Sequence, residues 1–271
     1  MFLSIGHRIW NFFLNLSTNY ISMSPVSINN GTVWAMIQGE GFGTLFFAAG
    51  IAVLNLFFLI GFVRQAANLK QSYTLESFIE AAIKLVFANL LMYNCWNLMA
   101  TVLSIAAYLT PSSEISGFPT EVTEANVVAE LADLFDAGLL GPSIAVVLLL
   151  LYVIVAAVCG VMIFITVYNR HFQIFILATT APLALSTVAG SSEISRTGYS
   201  WIRAFLGKAF EIVIIGIALS VGSLIAQALQ DNITLGINGT LDSLIFELLT
   251  MILITASVKG ADGLMSKVFA L

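Results

Sequence analysis

Apolar positions along this chain come in long blocks. Stretches without a charged residue occupy 41–63, 85–113, 137–169, 172–192 and 212–230. Each is about as long as the roughly 20 residues that carry a helix across a bilayer. Helices of this kind are apolar all round, with no wet face. The start of the chain has a different pattern. Phe2, Ile5, Ile9, Phe12, Phe13 and Leu16 recur at three- and four-residue steps, with Ser4, His7, Arg8, Asn11 and Asn15 on the other side. That spacing predicts an amphipathic helix. It either lies in the membrane interface, with Trp10 near the boundary, or packs as a short helix on the bundle.

Composition supports this reading. Apolar residues make up 59% of 271 positions and charged residues 9%, against about 25% charged in an ordinary soluble domain. A soluble fold could not cover itself with so little polar surface. The expected fold is therefore all-α and polytopic: about five transmembrane helices, a re-entrant or short sixth hydrophobic segment, and the N-terminal amphipathic helix. Cys95 and Cys159 both fall inside apolar blocks, too few and too far apart for a disulfide framework or a zinc site.

The placement of charge then sets the topology. Lys and Arg mark cytoplasmic loops. Arg64, Lys70 and Lys84 flank the first two spans, and no further basic residue appears until Arg170. The intervening segment holds Glu114, Glu121, Glu124, Glu130, Asp133 and Asp136. A third span over about 143–167 returns to the cytoplasm at Arg170. Block 172–192 contains Pro182 and several Ser and Thr residues, and it either crosses or dips in and returns. With five spans and an outside N-terminus, nine of the 10 basic residues are cytoplasmic, Arg8 being the exception. Six spans leave four of them outside, so the count favours re-entry. The expected organisation is 1–40 outside as amphipathic and pre-span helices. Residues 41–271 form one transmembrane domain, with an acidic outer loop at 110–142 and a basic cytoplasmic segment at 170–208.

Candidate chemistry is sparse. His7 and His171 are the only histidines, and they fall in separate expected compartments. No G-x-S-x-G elbow or phosphate loop occurs. No enzyme activity, metal or cofactor is expected. Transport is a stronger rival, but deep ionisable groups, the usual marks of a substrate path, are nearly missing from the spans. Ala218, Gly222 and Ala226 form a small-residue ridge suited to close helix packing. Pro182 is the candidate re-entrant break. Arg170, Arg196, Arg203 and Lys208 are the candidate substrate or partner surface, with headgroup anchoring as the plainer account of the same residues.

The chain resembles the TrbL family of polytopic membrane proteins of bacterial conjugation and type IV secretion, in a compact form. The resemblance runs from about Trp34 to Lys259. It rests on Trp34-x-x-Ile37 before the first span, Thr74-x-Glu76-x-Phe78 followed by Lys84, Arg170 ending the third span, Ala181-Pro182, and the Arg-containing stretch from Ser200 to Lys208. It implies a non-enzymatic, multi-pass subunit of the bacterial cytoplasmic membrane, N-terminus outside and C-terminus inside, forming part of a translocation channel or platform for DNA–protein substrates. The partners it implies are other secretion subunits and ATPases, further copies of the chain, the lipid bilayer, and transiently a single-stranded DNA–relaxase substrate. A small-solute transporter or channel is the alternative reading, and an intramembrane enzyme a weaker third.

Overall fold

The structure is a computed structural model that describes residues 2–39, 41–67, 75–110, 141–190, 192–232 and 239–268. The acidic segment expected at 110–142 lies almost wholly outside them. Helices dominate, and no strand occurs among the described residues. They are α1 (Phe2–Ser22), α2 (Thr32–Gln38), α3 (Phe42–Ala67), α4 (Leu75–Tyr93), α5 (Cys95–Leu109), α6 (Gly141–Ser186), α7 (Ser192–Asn232) and α8 (Gly239–Val268). Among the described residues, four segments are long and apolar enough to cross a bilayer: Pro25–Val63, Val146–Ser186, Ile194–Ile225 and Leu244–Ala261. A bent pair, Ala82–Tyr93 with Cys95–Leu109, makes a fifth. The chain is an all-α membrane protein.

Two elements differ from the sequence pattern. The block 85–113 is broken by a 61° bend between α4 and α5, where there is neither Pro nor Gly. The Leu90 carbonyl takes both the Asn94 side-chain amide at 3.0 Å and the Asn94 backbone N–H at 3.2 Å. An Asn side chain that competes for the helix's own acceptors loosens the turn it sits in. Conversely, the expected span 143–167 and the block 172–192 form one 46-residue helix, α6. No Gly or Pro lies between Gly160 and Pro182, and Arg170 is 2% exposed, so the charge does not end the helix at a headgroup layer. The break falls later, at a 3-10 turn over Thr187–Ala189.

The chain groups into two compact units. One comprises Met1–Met23, Leu109–Arg170 and Glu211–Lys267; the other Ser24–Tyr108, His171–Phe210 and Val268–Leu271. In the first, α1 packs against the bundle. Its buried stripe is His7, Trp10, Leu14, Ser17 and Ile21, while Phe12 is 62% exposed. The other exposed positions of α1 include Arg8, Asn15 and Asn19, so the outward face is mostly polar and Trp10, Leu14 and Ile21 anchor the helix to the bundle. In the second unit, Trp34 and Ile37 of α2, Cys95, Met99 and Leu103 of α5, Ile174, Ala178, Ala181 and Leu185 of α6, and Phe205 and Ala209 of α7 form one core.

Candidate functional site

Pro182 has no N–H, so the carbonyl four residues earlier, on Ala178, loses its helical partner. Trp96 of α5 replaces it, its indole Nε1–H donating to Ala178 O at 3.3 Å. Thr179 and Thr180 bond back to the Phe175 and Ile176 carbonyls at 2.8 and 3.0 Å. Gly50 of α3 closes the other side. A Cβ there would lie 2.8 Å from the Pro182 carbonyl oxygen and 2.9 Å from its carbon, so only glycine fits against that backbone. The proline lies inside α6, and the helix continues one turn to Ser186. The carbonyl that Pro182 frees is met by protein, as buried backbone requires.

The four basic candidates separate. Arg196 and Arg203 are exposed on α7, one at each end of a shallow groove of about 340 Å³ lined also by Ser195, Tyr199 and Ser200. These five residues sit at steps of one, three and four, one face of the helix. Trp201, Ile202, Phe205 and Leu206 look the other way, into the core. Lys208 is half-buried. Arg170 does not share this surface: it is buried, and it interacts electrostatically with Glu211 of α7, itself 2% exposed.

Of the small-residue ridge, Ala218 is half-buried, and the Ala226 side chain lies outside the described residues. Gly222 meets α8 of the same chain; a Cβ there would be 3.2 Å from Ser257 Oγ and 3.5 Å from Ser257 Cβ.

Two polar constellations escape a reading of the sequence. One is Arg170 with Glu211. The other is His7 of α1, whose Nε2 lies 2.6 Å from Glu247 Oε1 of α8, 240 positions away. A charged residue inside or beside an apolar helix is the available signal in each case. Nothing local names the partner.

A bundle of long apolar helices, a protein-covered proline break and a small basic face are the features to set beside known proteins. The family model described as "TrbL/VirB6 plasmid conjugal transfer like protein" matches residues 14–182, more than half of the chain. The chain belongs to this family. No curated protein and no solved structure matches it. Membership makes this TrbL/VirB6 chain a membrane component of a conjugal transfer or type IV secretion system. Within the matched segment lie the Asn94 bend, Trp96, Arg170 and Pro182. The basic face of α7, Gly222 and Glu247 lie beyond it.

Proposed function

We propose that this TrbL/VirB6 chain is a non-enzymatic, oligomeric subunit of the cytoplasmic-membrane channel or platform that passes DNA–protein substrates. It works beside copies of itself, other secretion subunits and ATPases, with its N-terminus outside and its C-terminus inside. The observation that carries the reading is the basic face of α7. In a chain with only 9% charged residues, Arg196 and Arg203 remain exposed on one helix face, 14 and 21 residues along the chain from the covered break at Pro182. Guanidinium groups recognise phosphate and carboxylate oxygens in bidentate fashion. Two or three cations per chain make a weak anion site, but a ring of copies would multiply them into a belt around a cytoplasmic mouth. A solute path would need ionisable groups free to take a substrate inside the bundle, whereas Arg170 and Glu211 answer each other.

The triple variant R196Q/R203Q/K208Q tests this. It should insert normally, because insertion depends on the apolar helices. Transfer of DNA or effector should fall by on the order of tenfold or more as phosphate contacts are lost. Wild-type transfer by a stably expressed triple variant would return these residues to headgroup anchoring.

A further inference from the structure

Helix α5 is turned the wrong way for an element whose outer face meets lipid. Cys95, Met99 and Leu103 hold one of its faces in the core of the second unit, and Ala106 is buried on the same side. Exposed on the other side are Asn97, Thr101, Ser104 and Tyr108, at steps of four, three and four. At 3.6 residues per turn they form a stripe about 60° wide, across the axis from the buried one. In α6, by contrast, every exposed residue from Val146 to Ile165 is apolar.

Apolar inward and polar outward is the arrangement of a helix on a water-soluble protein. Yet α5 lies within the uncharged block 85–113 and is half of the bent pair that makes a span. Its polar stripe runs about 16 Å, roughly half the thickness of the hydrocarbon. The hydroxyls have a local answer, since Thr101 and Ser104 donate to the Asn97 and Ala100 carbonyls at 2.9 and 2.8 Å. The Asn97 amide does not: among the described residues nothing bonds its side chain. An amide left unmatched in hydrocarbon is unfavourable, and no water reaches it there. Either a neighbouring helix or water must meet this stripe. Helices that meet in a membrane favour small residues that let their backbones approach, whereas Asn97 and Tyr108 stand out from α5, Tyr108 being 90% exposed. Water suits all four side chains.

We propose, on the channel reading given above, that the polar stripe of α5 lines the aqueous path of the assembly, with copies of α5 forming its wall. That wall carries hydroxyls and amides but no ion, so it stays wet without holding a passing polyanion. Conduction needs contacts weak enough to release what they touch. The cations that would draw the substrate, Arg196 and Arg203, are on α7.

Cysteine accessibility in cells carrying the complete transfer apparatus tests this. Asn97→Cys, Thr101→Cys and Ser104→Cys would each be treated with a small charged methanethiosulfonate, beside Leu150→Cys and Ile154→Cys on the apolar outer face of α6. The unsubstituted chain, whose Cys95 and Cys159 are buried, gives the background. The thiolate is the reactive form and needs water to exist, so the stripe should label on the order of tenfold or more faster than the α6 positions. A second variant, Asn97→Leu with Thr101→Val and Ser104→Ala, makes the stripe apolar. It should insert and assemble normally, yet transfer should fall by on the order of tenfold as the wall dewets. Labelling of the stripe no faster than of α6 would overturn the proposal, and so would wild-type transfer by the apolar variant. Slow labelling with ready disulfide-linked dimers would make the stripe a contact between copies instead. The R196Q/R203Q/K208Q experiment reads the basic face of α7 separately. Should that variant transfer normally while the stripe labels fast, α5 still faces water and only the substrate role of the basic face falls.

Discussion

At the scale of single residues, Pro182 and Arg170 show how partners change what a side chain means. Ala178 is fully buried, so no water can take up the carbonyl that Pro182 leaves open, and the Trp96 indole carries that duty at 3.3 Å. Trp96→Phe keeps an aromatic ring but removes the donor, and should cost about 1–3 kcal/mol, the desolvation penalty of an unmatched buried group. Pro182→Ala restores the N–H that reaches the same carbonyl. In that background Trp96→Phe should cost markedly less. Unfolding midpoints of the four proteins in mixed detergent–SDS micelles would measure the difference, and equal costs in both backgrounds would mean that the indole bond contributes nothing. Arg170 teaches a related lesson. As a letter in the sequence it joins Arg196, Arg203 and Lys208 in a basic segment. Folded, it is 2% exposed and set against Glu211, so its charge is not offered to any arriving anion. Sequence shows that a charge sits among apolar residues. It does not show which distant residue neutralises it, because that depends on which helices become neighbours.

Among the elements, what is legible divides along the same line. The apolar blocks are read correctly as helices, since every window of about 20 such residues has one low-energy conformation in a bilayer. Their breaks are not. The bend at Asn94 carries no Pro or Gly, and the continuity of α6 through Arg170 depends on burial. The Ala218–Gly222–Ala226 ridge announces a close helix approach but not its partner, and at Gly222 the partner is α8 of the same chain. This gives a graded expectation. Gly222→Ala brings a Cβ to 3.2 Å from Ser257 Oγ, a rotatable hydroxyl that can give, so its effect should stay below about 1 kcal/mol. Gly222→Leu must push α7 from α8 and should cost about 1–3 kcal/mol, the usual penalty of overpacking. The loss should appear in SDS-unfolding midpoints of the isolated chain. If Gly222→Leu left the midpoint untouched and only dissociated a higher assembly, the ridge would serve contacts between chains.

For the molecule as a whole, the open question of the sequence was whether 172–192 crosses or returns, and the continuity of α6 bears on it. One unbroken helix crosses a bilayer once. At 1.5 Å per residue the 46 residues of α6 extend about 69 Å, more than twice the roughly 30 Å of hydrocarbon. Its surplus is strongly apolar and cannot stand bare in water. Ile174, Ala178, Ala181 and Leu185 are instead covered by α2, α5 and α7. If the acidic segment lies outside, as the charge pattern predicts, a helix that crosses once ends inside, and the turn at Thr187–Ala189 leads to α7 on that same side. Arg196 and Arg203 follow within a few turns, where the distribution of basic residues also puts them. Single cysteines at Thr197 and Lys267 should therefore react with a membrane-impermeant thiol reagent only after the membrane is opened. Cysteines at Asn19 and Glu124 should react on intact cells, with buried Cys95 and Cys159 silent throughout. Reaction at Thr197 from outside would require α6 to be broken near Arg170 in the membrane. It would give the chain a sixth crossing and move the basic face of α7 away from any cytoplasmic mouth.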